Sequence, residues 1–163
     1  MNHWLMKAEP SVFGIDDLAH APRRRTLWDG VRNYQARNFM RDMRLGDEVF
    51  FYHSNCAEPG IAGVMRVVRE AYPDPTQFDE NDPHFDPRSN PDDPRWSVVD
   101  VEFVRKFDAV VALSKLREVD ALKTMRILQR GNRLSVTPVS NNHWKEICSL
   151  AEEKTLQKTH KNK

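Results

Sequence analysis

Long apolar runs are missing from this chain of 163 residues, and nothing approaches the roughly 18–20 residues that a membrane-spanning helix requires. The opening residues, Met1 to Lys7, also lack the apolar stretch and small-residue cleavage site of a secretory leader, so a cytoplasmic home is expected. Cysteine is scarce: Cys56 and Cys148 are too few for a disulfide framework and too isolated for a zinc knuckle. Glycine is scarce too, at six residues, and none belongs to a phosphate-cradling loop, so no nucleotide cofactor is expected. The six histidines are scattered, without the spacing to cysteine or carboxylate that binds zinc, and no metal is expected. Charge of one sign is absent as well. The 25 basic and 24 acidic residues leave a net +1, which argues against a protein that coats duplex nucleic acid by phosphate neutralisation alone. Any nucleic-acid contact must be local.

What remains is a composition of 39% hydrophobic and 30% charged residues, in a length that suits one core and a monomer. The pattern predicts strands at 3–8, 48–54, 61–70, 96–107, 109–113 and 134–136. Helices are expected at 15–19, from about Tyr34 to Met43, at 114–122 with Ser114 as N-cap, at 124–129, and from Ser140 to about Leu150. Between the strands, residues 71–95 hold six prolines and seven acidic residues and read as a long loop. Residues 152–163 read as a polar, basic, disordered tail. Many strands without alternating strand–helix units give an α+β fold, a mostly antiparallel barrel or sandwich with short peripheral helices.

The chemistry-bearing residues are few. His53, Ser54 and Cys56 invite a nucleophile reading, but neighbours on a strand point to opposite faces, so His53 and Ser54 are badly placed to share a proton. The plainer reading of His53 is a half-buried imidazole bonded to backbone. Asn33, Ser54 and Asn55 offer uncharged donors and acceptors suited to a base edge, or equally to turns and caps. Lys7 and Glu9 end the first strand and suit an ion pair or a contact to phosphate and base edge. Arg23, Arg24, Arg25, Arg32 and Arg37 surround Trp28 in sequence, while Arg130 and Arg133 flank Gly131. They form either a phosphate track or a solvated basic face. Trp28 and Trp96, on residue chemistry alone, read as core aromatics.

Four blocks change the weighting of these readings. They are Trp4-Leu5-Met6-Lys7-Ala8-Glu9-Pro10, Trp28 to Asn38, Gly46 to Asn55, and Arg130 to Val139. Together and in this order they resemble the EVE domain family, over residues 1–151 of this chain. The resemblance implies a PUA-like β-barrel, related to the YTH domain that holds N6-methyladenine in RNA and to readers of modified cytosine. It implies a binding module, not an enzyme, for a modified base in DNA or RNA. Trp28, with Trp96, then lines an aromatic pocket, Asn33, Ser54 and Asn55 with Lys7 and Glu9 read the base, and Arg24, Arg25, Arg32 and Arg130 hold the nucleic-acid backbone. Two rivals stand beside it. One is a hydrolase of modified nucleosides of the related ASCH type, and the other is a protein-interaction module using the acidic loop.

Overall fold

A computed structural model describes the backbone of residues 1–161 and the side chains of residues 1–153. Six strands form one mixed sheet: β1 (His3–Ala8), β2 (Arg25–Leu27), β3 (Glu48–His53), β4 (Gly60–Pro73), β5 (Ser97–Ala112) and β6 (Val136–Val139), in the order β2-β5-β4-β3-β1-β6. Only β1 and β3 run parallel. The other four neighbouring pairs are antiparallel. The helices are α1 (Ile15–His20), α2 (Tyr34–Asp42), α3 (Leu113–Glu118) and α4 (Asn141–Lys161). The fold is therefore α+β, but the expected barrel is not closed. The end strands β2 and β6 are not hydrogen-bonded to each other among the described residues, and each is short.

Strand alternation divides the core in two. Trp4 and Met6 of β1, with Val49 and Phe51 of β3, face α1, α2 and Trp28 on one side of the sheet. Leu5, Phe50 and Tyr52 face the other side, where α3 and α4 pack. There Trp144 stacks on Phe50 with ring centres 3.7 Å apart, confirming that the apolar stripe of α4 is core. Ser140 caps this helix as its sequence predicts, its hydroxyl accepting from the His143 amide at 3.2 Å. On the first face Asp47 is buried among apolar groups yet fully engaged. It accepts from the Trp4 indole at 2.9 Å and from the backbone amides of Asn2 and Arg44.

Several expectations need correction. The strands at 96–107 and 109–113 are one continuous β5, because its pairing with β4 survives a series of register shifts that bend both strands without ending them. Ser114 does not cap α3; Ala112 stands at the N-cap position, without a side-chain bond. The helix expected at 124–129 is a single 3₁₀ turn, 126–128. The last strand begins at Val136, not Leu134, and includes Pro138, which an edge strand tolerates because it lacks one neighbour. Helix α4 continues to Lys161 through much of the segment expected as a tail; residues 162 and 163 lie outside the described residues.

The bend of β4 over β5 brings their backbones unusually close at Gly63, where a Cβ would run into the carbonyl oxygen of Arg105. That neighbour is backbone and cannot rotate away. Gly63→Ala is therefore expected to lower unfolding free energy by about 1–3 kcal/mol, the scale of overpacking, in denaturant titrations followed by circular dichroism. A variant as stable as the parent would show that the bend does not depend on this contact.

Candidate functional site

The C-terminal end of β1 opens into a cleft of about 820 Å³. Lys7 and Glu9 form one side and Val12 and Phe13 the next. The segment from Thr26 to Val31 crosses the floor, Thr76 and His84 come from the 71–95 loop, and Ser135 lies beside Lys7, its carbonyl accepting from the Lys7 amide at 2.8 Å. Trp28 is 7% exposed and meets Phe51 edge to face, with ring centres 5.3 Å apart. It is at once a core residue and the aromatic floor of the cleft. Val12, 78% exposed, and Leu27, 37% exposed, stand at the rim.

The wall at residues 71–95 is built by side chains that bond their own backbone. Oδ1 of Asp74, Asp79, Asp82, Asp86 and Asn90 each accepts from the amide two residues on, at 2.8–3.0 Å. This succession of Asx turns gives order where hydrophobic periodicity is absent. Buried Gln77 locks the segment from within. Its amide donates to the carbonyls of Asp74 and Trp96, and its oxygen accepts from the Ser89 hydroxyl and the Trp96 amide.

Asp74 fastens that wall to the floor. Its carboxylate, fully buried, accepts from the Gly30 amide at 3.0 Å, the Arg32 guanidinium at 2.9 Å, the Thr76 hydroxyl at 2.6 Å and the Thr76 amide. Burial alone would raise this carboxyl, but the bonds from Thr76, Gly30 and Arg32 outweigh it and hold it below the usual carboxylate range. Gly30 has φ +78°, and the His84 ring lies where its Cβ would be, so only glycine fits this turn.

The structure brings together Lys7, Glu9 and Trp28 of the residues singled out by sequence. Lys7 is half-buried with no ion pair among the described residues; burial lowers its pKa, and its ammonium lies 5.5 Å from the Tyr52 ring. Glu9 accepts from the Asn55 amide at 3.2 Å, so Asn55, exposed and with φ +50°, stands just behind the cleft wall. Ser54 donates its backbone amide to Ala8, tying β3 to β1. Asn33 caps α2, its oxygen accepting from the Ala36 amide at 2.9 Å.

Trp96 lies outside the cleft, and its ring already has partners. Tyr34 stacks at 4.9 Å and the Arg32 guanidinium sits 5.5 Å away, while the indole donates to Asp86 at 2.7 Å. It pins the loop. Arg32 is likewise an internal strut: its donors go to Asp74, Thr76, and the carbonyls of Val31 and His84. Arg25 is paired with Glu102, which Arg66 shares. Arg24 lies over the Phe103 ring, and both it and Arg23 adopt left-handed backbone at the turn into β2. Arg130 is exposed. His53 accepts from the Ile15 amide at 3.1 Å, the backbone role its sequence suggests, and burial lowers its pKa.

Sequence reasoning missed Asp29, Thr76, His84 and Ser135. A readable signal existed for the loop residues, since Asx-Pro recurs at 74, 82, 86, 90 and 93, the spelling of repeated Asx turns. Folding of this loop also gathers Asp29, Asp82 and His84, whose ligand atoms lie within 4.8 Å of one another and have the chemistry to hold a cation. Linear spacing could not show that trio.

The profile of the EVE domain matches residues 2–150. This chain belongs to the EVE domain family. It is 48% identical over 169 residues to human thymocyte nuclear protein 1, covering 93% of this chain and 75% of that protein. Among solved structures, the human THYN1 protein in complex with 5-methylcytosine-containing DNA superposes with a TM-score of 0.89 at 49% identity, covering 93% of this chain and 98% of that one. A hypothetical protein from Leishmania major superposes with a TM-score of 0.91 at 45% identity, covering 95% and 97%. The first of these names also corrects the cytoplasmic placement expected from the N-terminus, because that relative is named a nuclear protein.

Because the Asp74 carboxyl is held low, its contribution is present above the ordinary carboxylate value of about 4 and is lost as pH falls through the folded value. Asp74→Asn is expected to lose about 3 kcal/mol at neutral pH, since it strands Arg32 without its counter-ion. Its stability should also fall less than the parent's between pH 5 and pH 2, on the scale of ordinary carboxylate titration. Parallel pH profiles for the two proteins would contradict this account.

Proposed function

We propose that this EVE domain is a non-catalytic module that receives a modified base of DNA, with 5-methylcytosine the leading chemistry, into the cleft floored by Trp28. The module comprises residues 1–151 and acts as a monomer on one base. The observation that carries the reading is that cleft itself, with an aromatic floor and a size that suits a nucleoside. It lies in a chain half identical to a protein solved with 5-methylcytosine-containing DNA. A base taken out of its stack presents a flat face and a polar edge, and is held by stacking together with directed hydrogen bonds.

The same geometry disfavours the hydrolase alternative. His53, the one imidazole near a hydroxyl and a thiol in sequence, already has Nε2 engaged by the Ile15 amide. The backbone-holding role falls to Arg24 and Arg130, because Arg32 is committed inside the wall and Arg25 to Glu102.

Fluorescence anisotropy on duplexes differing only by one 5-methyl group is the direct test. The methylated duplex should bind more tightly, and mass spectrometry after prolonged incubation should find the base unaltered. Trp28→Leu should weaken binding by roughly 1–3 kcal/mol, the worth of one base–aromatic stack. A folded Trp28→Leu protein that binds like the parent would refute the floor assignment. Arg24→Ala with Arg130→Ala should instead weaken methylated and unmethylated duplexes alike and flatten the salt dependence. Loss of methyl preference in that double variant would show that these arginines read the base.

A further inference from the structure

Asp29 has no assigned role, and its position is unusual. It lines the cleft beside Trp28, and among the described residues no donor from another residue bonds its carboxylate. Of the other carboxylates nearby, Asp74 is saturated, Glu9 is held by Asn55, and Asp82 lies 3.2 Å from His84, both within 4.8 Å of the Asp29 carboxylate. The backbone on both sides of Asp29 is fixed, since the Trp28 amide donates to Val99 at 2.9 Å and the Gly30 amide to Asp74 at 3.0 Å. The backbone of Asp29 is thus held at one place relative to the aromatic floor. Asp29 is an exposed residue, and partial burial pushes its carboxyl up against the attraction of His84 and the bond from its own amide.

Resting on the base-binding reading above, we propose that Asp29 determines base identity by accepting a hydrogen bond from the exocyclic amino group of a cytosine-class base lying on Trp28. An ionised carboxylate only accepts. Cytosine and 5-methylcytosine present an amino donor at position 4, whereas thymine, with the same 5-methyl group, presents a carbonyl acceptor there. Two acceptors facing each other in a partly desolvated cleft repel and leave both unsatisfied. Lys7, which also lines the cleft, cannot make this distinction. It only donates, and both pyrimidines carry the same carbonyl at position 2. The 5-methyl group is left to apolar neighbours, and Val12 and Leu27 supply these at the rim.

The test uses the full chain and one duplex carrying 5-methylcytosine, cytosine or thymine opposite an abasic site, so that the cost of breaking a base pair cancels. The parent protein should favour 5-methylcytosine over thymine by about tenfold or more, the scale of one good base-edge contact. Asp29→Asn can turn its amide nitrogen towards the thymine carbonyl, so that ratio should collapse towards one while the ratio of 5-methylcytosine to cytosine persists. Asp29→Ala should lower the first ratio too, through loss of 5-methylcytosine affinity. Folded variants that keep the parent's discrimination against thymine overturn the assignment and leave the base-binding function intact. A parent protein that does not separate 5-methylcytosine from cytosine overturns the function itself, and the assignment with it. Ratios should be the same in EDTA; a ratio that collapses without a divalent cation overturns direct readout by the carboxylate.

Discussion

One buried carboxylate holds the site together. Asp74 lies where β4 gives way to the proline-rich loop, and it binds the Gly30 turn, the Arg32 guanidinium and its own Thr76. A buried charge is tolerable only when its lone pairs are filled, and these donors fill them. The consequence is geometric. The loop carrying Thr76 and His84 is drawn against the segment carrying Trp28 and Asp29, and a cleft exists because two otherwise separate segments share that contact.

Much of the basic character suggested by sequence is spent inside the protein. Arg32, Arg37 and Arg41 brace the 71–95 loop through carbonyls and Asp74, and Arg25 with Arg66 neutralises Glu102. A net charge of +1 therefore understates how few arginines are free near the cleft. Affinity built on such a surface has to come from the pocket more than from phosphate neutralisation. Asp29 fits that economy, since it lines the cleft and no donor from another residue bonds its carboxylate among the described residues.

Strand alternation made the central sheet legible. Trp4 and Met6 against Leu5, and Val49 and Phe51 against Phe50, are assigned to opposite faces by period alone. The sequence blocks also singled out Trp28, Lys7 and Glu9, which line one cleft. Asn33, Ser54 and Trp96 have residue types that suit caps, ties and pins as well as ligands, and period alone does not show the tertiary partners they take here. The barrel was misjudged because closure depends on pairing between end strands, and β2, three residues long, has no periodicity to announce it. His84 was out of reach for a different reason. Its place over Gly30 depends on the Asp74 bond, which joins residues 44 apart in the chain.

The central claim is that a base lies on Trp28 inside the cleft that Asp74 assembles. Intermolecular nuclear Overhauser contacts from the 5-methyl protons of a bound methylated oligonucleotide test it without relying on any substitution. The account predicts cross-peaks to Trp28 and to the rim side chains Val12 and Leu27. Cross-peaks confined to a surface away from the cleft, such as the hollow lined by Tyr72, Pro73 and Pro94, would contradict it.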